Sequence, residues 1–178
     1  MLRSRFWAFL WSLWLGGCLW GCQPALPVGQ TYLVSVERAL SGQTLALTAP
    51  IGPNAAVDQI RLAGIQAPDL KQVPWGEAAQ QRLQELIGKT VRIEPVSLEP
   101  DDYNRLWAYV WRDRQLINQQ LVQEGYVLVD PLSLETSPYQ TALLRAQEQA
   151  RLVGLGIWQP KQPLRLTPAE FRQQQSPS

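Results

Sequence analysis

Between Thr31 and Trp158 the chain alternates apolar and polar positions in short runs, interrupted by stretches with helical spacing. Tyr32-Leu33-Val34-Ser35-Val36 has the period of a strand, and Ser41-Gly42 reads as a turn. Thr44 to Leu47 predicts a second strand. Ile60 to Gly64, in which Ile60, Leu62 and Gly64 alternate with Arg61 and Ala63, predicts a third. Pro68 marks its limit, because proline cannot donate into a sheet ladder. Pro74 suits the first position of a helix whose stripe is Trp75, Ala79, Leu83 and Leu86, stopped at Gly88. Thr90 to Glu94 and Arg105 to Trp111 alternate again. Ile117, Leu121 and Gly125 mark a short helix. Ser137-Pro138 opens a longer one with the stripe Tyr139, Leu143, Ala146, Ala150 and Val153, and Gln147 on the opposite face.

Three strands, a helix, two strands and two helices do not make a parallel doubly wound sheet. The economical closure is an α+β fold, a five-stranded OB-type antiparallel β-barrel with three packed helices. Trp107, Tyr109 and Trp111 alternate on the fifth strand, so they form an aromatic row that packs under a helix or presents a stacking surface.

Composition narrows the chemistry. The chain of 178 residues contains no histidine, which excludes Ser-His-Asp and Cys-His catalysis and any histidine-based metal site. Its only two cysteines, Cys18 and Cys22, precede the folded region, so no disulfide or zinc site is expected inside it. The net charge is +1; without residues 1–17, Arg3 and Arg5 are lost and 14 basic face 15 acidic side chains. A near-neutral domain binds a polynucleotide only through a local basic patch.

Arg3 and Arg5 ahead of the uncharged, Trp- and Leu-rich run Phe6 to Gly17 have the form of a secretory leader, too short for a comfortable membrane span. Leu15-Gly16-Gly17-Cys18 resembles a bacterial lipobox, with Cys18 the lipidated residue and Cys22 the alternative. The expected organisation is a signal and lipobox region (1–22), a linker (23–30), a folded domain (31–158) and a flexible Pro/Gln-rich tail (159–178). The domain is then extracytoplasmic, a lipoprotein anchored to the cell membrane or outer membrane, and monomeric.

Five short motifs follow in order: V-x-x-A-L-S-G-Q-T, I-R-L-A-G-I-Q-A-P-D, D-D-Y-N-R, L-I-N-Q-Q-L-V-Q-E-G and A-R-L-V-G-L-G-I-W. Together they resemble the staphylococcal-nuclease-like (thermonuclease) family over about Thr31 to Trp158. The resemblance implies a calcium-dependent endonuclease that hydrolyses phosphodiesters of DNA or RNA. It places Arg61 and Arg105 as phosphate clamps, Asp69 as the water-activating base and Tyr103 against a nucleotide. Planar guanidinium forks match phosphate oxygens, and a hard divalent ion takes carboxylate oxygens.

Three positions of the expected metal and water-activating set depart from the family pattern. Gln43 and Gln66 stand at metal-ligand positions where the family has aspartate, and Asp69 stands for a glutamate. Calcium affinity depends on the charge of the cage, so the resemblance implies a weak metal site or none. Asn104 replaces a glycine before Arg105, at a place where asparagine tolerates positive φ. Asp58, Asp101 and Asp102 read as solvated turn acids. Two expectations follow: a weak nuclease whose cleft holds nucleic-acid phosphates, or an inactive binding module for an oligonucleotide or protein partner.

Overall fold

The computed structural model describes residues 30–52, 57–134 and 137–175. The leader, both cysteines and nearly all of the linker lie outside the described residues. Among the described residues no helix is long and apolar enough to cross a membrane.

Strands β1 (Tyr32–Ser41), β2 (Thr44–Ile51), β3 (Val57–Leu62), β5 (Thr90–Pro95) and β6 (Arg105–Arg112) form the barrel. Their order is β3-β2-β1-β5-β6, with every neighbour antiparallel. The closing seam, β3 against β6, is parallel, with Arg61 opposite Trp107 and Gln59 opposite Arg105. The expected five-stranded OB-type barrel is therefore present as a mixed barrel. Short pairs complete it: β4 (Ile65–Gln66) with β8 (Leu128–Val129), and β7 (Gln115–Leu116) folding back on β6.

Alternation fills the interior. Val34, Val36, Leu45, Ile60, Leu62, Ile93, Ala108 and Val110 are all buried in one apolar cluster. Helix α1 (Trp75–Ile87) buries Trp75, Ala79, Leu83 and Ile87, so the stripe ends on Ile87, with Leu86 half-buried. Helix α2 (Ile117–Gln123) contributes Leu121 and Val122, and its Asn118 is fully buried. The Asn118 amide accepts from Val110 N (2.9 Å) and donates to Ala63 O (2.8 Å). A buried amide with both ends satisfied fixes geometry, and here it clamps the end of β3 to β6.

Helix α3 (Gln140–Val153) buries Leu143, Ala146 and Ala150 as the stripe predicts. Two of its predicted positions are corrected. Val153 is 72% exposed, because the helix ends there at a left-handed Gly154. Gln147 is half-buried, and its Oε1 accepts Val129 N at 2.8 Å. The aromatic row packs in its outer part. Tyr109 is buried and bonds Ser137, and Trp111 meets Tyr139 edge-to-face.

Residues 159–175, read from composition as a flexible tail, follow a defined path ending in helix α4 (Pro168–Gln175). Thr167-Pro168-Ala169-Glu170 is a capping box: Thr167 N and Oγ1 donate to the Glu170 carboxylate, and Glu170 N donates back to Thr167 Oγ1.

Candidate functional site

The parallel seam organises the site. Leu106, Ala108, Ile60 and Leu62 point inward, so Arg105, Trp107 and Arg61 project from the outer face of adjacent strands. Thr44 pairs with Arg61, and Leu62 N donates to Gln43 O at 2.8 Å. Gln43 in the turn before β2, Arg61 on β3 and Trp107 on β6 thus follow one another across the seam.

Arg61 is only 7% exposed. Its Nη2 donates to Ile65 O at 3.4 Å, while Nη1 is buried without a hydrogen-bond partner. The guanidinium lies 5.3 Å from the centre of the Trp107 ring. Burial, and next the charge of Arg105, pull its pKa from 12.5 to about 10, with Asp130 acting in the opposite direction. The side chain remains a cation at neutral pH, held where its charge is costly.

Arg105 is held differently. Its Nε and Nη2 donate to Asp101 Oδ2 at 2.9 and 2.7 Å. The same oxygen receives the Trp107 indole N–H (2.9 Å), and Oδ1 receives the backbone N–H groups of Tyr103 and Arg105. Asp101 is therefore the counter-ion of Arg105 and the organiser of its loop, which corrects its assignment as a solvated turn acid. Burial pushes the Asp101 carboxyl upward, but the Arg105, Trp107 and backbone donors overcome this and hold it well below 3.8. Asn104 has φ 57, the left-handed geometry expected there. Tyr103 is 74% exposed, with its ring 4.9 Å from the Arg105 guanidinium.

Gln43, Gln66 and Asp69 are joined through one loop. Gln43 Oε1 accepts Ala67 N, which pins the segment after β4. Gly42 sits where a Cβ would overlap the Ala67 and Ala79 methyl groups, so only glycine permits that approach. Gln66 is half-buried and pairs with Leu128. Asp69 is half-buried, and its Oδ1 accepts Lys71 N at 2.9 Å. Among the described residues no group of three or more His, Cys, Asp or Glu side chains could hold a metal ion.

Sequence reasoning misassigned Asp101 and missed the buried Asp130 and Gln72. Asp130 N donates to Gly64 O at 3.0 Å and places that carboxylate in the field of Arg61. Gln72, 8% exposed, accepts Asp69 N (2.8 Å) and donates to Leu166 O (2.9 Å). The Asp130–Gly64 and Gln72–Leu166 contacts carry no local signal, since their partners are remote in the chain, whereas Gln72 reaches Asp69 over only three residues.

A small mixed barrel with helices packed against it and two guanidiniums on the outer face of its closing seam defines an OB-type α+β domain. The family model of staphylococcal nuclease homologues matches residues 59–160, and the chain belongs to that family. It is 30% identical over 132 residues to the SPbeta prophage-derived endonuclease YokF of Bacillus subtilis, covering 70% of this chain and 43% of that protein. It is 28% identical over 135 residues to the thermonuclease of Staphylococcus hyicus, covering 72% and 76%. With an uncharacterized endonuclease of Haemophilus influenzae the identity is 30% over 118 residues, covering 66% and 61%. The chain thus spans less than half of YokF and about three quarters of the thermonuclease.

Proposed function

We propose that this protein is a membrane-tethered, extracytoplasmic member of the nuclease family whose cleft binds nucleic-acid phosphates and hydrolyses them weakly. The observation that carries this reading is Arg61: a guanidinium 7% exposed, with an unpartnered buried Nη1, beside a second guanidinium at Arg105. An anion between them relieves the mutual repulsion and supplies the missing acceptor. Tyr103 and Trp107 flank the two cations and offer aromatic faces to a base or sugar.

The donor set does not fit a carboxylate-held calcium ion. Gln43 and Gln66 are neutral amides, and the Gln43 oxygen already serves Ala67 N. Asp69 is the remaining acid of the three positions; its Oδ1 is turned to its own loop by Lys71 N. It is one methylene shorter than the family's glutamate, and a misplacement of about 1 Å in a reacting group can cost about 100-fold in rate. Binding through the arginines needs no metal. Support for the tether is Arg3 and Arg5, the apolar run Phe6 to Gly17, and the lipobox-like Leu15-Gly16-Gly17-Cys18.

The test is an assay of the wild type and the triple variant Gln43→Asp, Gln66→Asp, Asp69→Glu on single-stranded DNA, with calcium and with chelator. The wild type should cut very slowly and respond little to calcium, and the triple variant should gain calcium-dependent cleavage. Robust calcium-dependent cutting by the wild type overturns the eroded site. Loss of nucleotide binding in Arg61→Ala, without turnover in any variant, favours the second reading, a binding module for an oligonucleotide, for which the engaged Gln43 oxygen is the specific support.

A further inference from the structure

Asp69 is fixed from its backbone outward. Its N–H donates to Gln72 Oε1 at 2.8 Å, its carbonyl accepts Gln72 N at 2.8 Å, and its Oδ1 accepts Lys71 N at 2.9 Å. A Cβ on Gly76 would overlap the Asp69 carbonyl, so the first turn of α1 backs the same residue. Gln72 therefore meets Asp69 through both its main chain and its side chain.

The other end of the Gln72 amide belongs to a distant part of the chain. Its Nε2 donates to Leu166 O at 2.9 Å. Residues 161–175 lie beyond the segment that the family model matches, and they run back over the Asp69 loop as a strap. Leu164 N donates to Ile157 O at 2.8 Å, and the Trp75 indole donates to Gln162 O at 3.1 Å. Past Leu166 the Thr167–Glu170 capping box starts α4, whose Phe171 lines a pocket of about 340 Å³ with Gln72, Trp75 and Leu164.

Gln72 is 8% exposed, so water is a poor substitute for either partner. A carboxamide has one donor end and one acceptor end, and fixing one directs the other. The Leu166 carbonyl takes the nitrogen and so turns the oxygen toward Asp69 N. We propose that Gln72 is a positioning residue for the Asp69 carboxylate, and that the strap sets it through Leu166 O. The candidate site then extends past the matched segment, and a docked strap serves hydrolysis rather than phosphate binding. The inference rests on the reading of Asp69 as the water-activating group.

Slow turnover by the full chain can be followed on an activated substrate, thymidine 5′-(4-nitrophenyl phosphate), beside binding of thymidine 5′-monophosphate and amide hydrogen exchange. Gln72→Met keeps the length of the side chain and removes both of its bonds. It should lower kcat by about 10- to 100-fold, the cost of a misplacement near 1 Å. KM and mononucleotide affinity should stay within about twofold, because the phosphate is held by the arginines. Exchange at the Asp69 amide should quicken by about tenfold, as loss of one hydrogen bond allows. Phe171→Ala, which leaves Gln72 in place and loosens α4, should change kcat and exchange in the same directions, more weakly. In an Asp69→Ala background Gln72→Met should alter the residual rate by less than about twofold, because it acts through Asp69.

Unchanged kcat in Gln72→Met overturns the positioning role, whatever the exchange rate, and leaves Gln72 a fastener of the fold. An equal loss with and without Asp69 overturns it too. A loss in Gln72→Met with wild-type kcat and exchange in Phe171→Ala overturns the part given to the strap. If the wild type does not turn over the substrate, or Asp69→Ala keeps the wild-type kcat, the hydrolytic reading of Asp69 falls and the positioning role with it. Mononucleotide binding that depends on Arg61 would still stand in that case.

Discussion

The side-chain oxygen of Gln43 accepts the backbone N–H of Ala67, a contact spanning 24 residues of chain. The residue that the resemblance sets at a metal-ligand position is thus a fastener of the loop that carries Asp69. Ala67 is buried, so removing the acceptor strands an N–H away from water. Gln43→Ala should cost about 1–3 kcal/mol of stability, measured by urea unfolding. A neutral result would mean that the loop holds its place without Gln43.

Asp101 gives a pH prediction with a definite sign. Its folded-state pKa lies below the ordinary 3.8, so its ionised form is stabilised by folding. That contribution is fully present above about pH 4 and is lost as pH falls below 3.8 toward the folded value. Asp101→Asn should therefore be less stable at neutral pH by about 1–3 kcal/mol. Its stability should also fall less steeply than that of the wild type between about pH 4 and pH 2. Parallel curves for the two proteins would rule out Asp101 as the titrating group.

The strand and helix pattern made most of the barrel legible, because Val34, Val36, Ile60, Leu62, Ala108 and Val110 follow the alternation that the core demands. Both arginines were legible from their motifs. The motifs also put them in one cleft, but the parallel seam that brings their strands together was not legible, since strand periodicity cannot distinguish it from an antiparallel one. Asp101 escaped because its acceptors' partners are set by a turn conformation, including the positive φ of Asn104. The α4 helix did have a local signal, the Thr167–Glu170 capping box, which the Pro- and Gln-rich composition around it obscured. Gln147 shows the limit of a helical stripe: spacing places it outside the apolar face, and a neighbouring strand end, Val129, gives it a bond all the same.

That bond changes an expectation about α3. Leu143 is fully buried, and Leu143→Ala should cost roughly 2–5 kcal/mol. Gln147→Ala leaves Val129 N without its acceptor and should cost about 1–2 kcal/mol, well above a solvent-face substitution. Denaturant midpoints for both variants decide the matter, and a Gln147→Ala midpoint equal to wild type would mean that water replaces the amide there.

Arg61 is where stability and function should part. At 7% exposure, with one nitrogen unpartnered and Arg105 nearby, its cation is less favourable in the folded protein than in water. For a base the sign is direct: a folded-state pKa of about 10 against 12.5 means that folding works against the charge at neutral pH. Replacing a buried charge by an apolar side chain of similar volume is often neutral or stabilising by about 1–4 kcal/mol. Arg61→Met should therefore raise the melting temperature of the protein free of ligand, while abolishing nucleotide binding. The two measurements separate the possibilities. If Arg61→Met melts lower than wild type, the bond to Ile65 O and the contact with Trp107 outweigh the desolvation, and Arg61 is a structural cation. If it melts higher yet binds nucleotide as before, the phosphate is held elsewhere. A higher melting temperature together with lost binding is the expected result, and it would mark Arg61 as a side chain kept for its ligand at the expense of the fold.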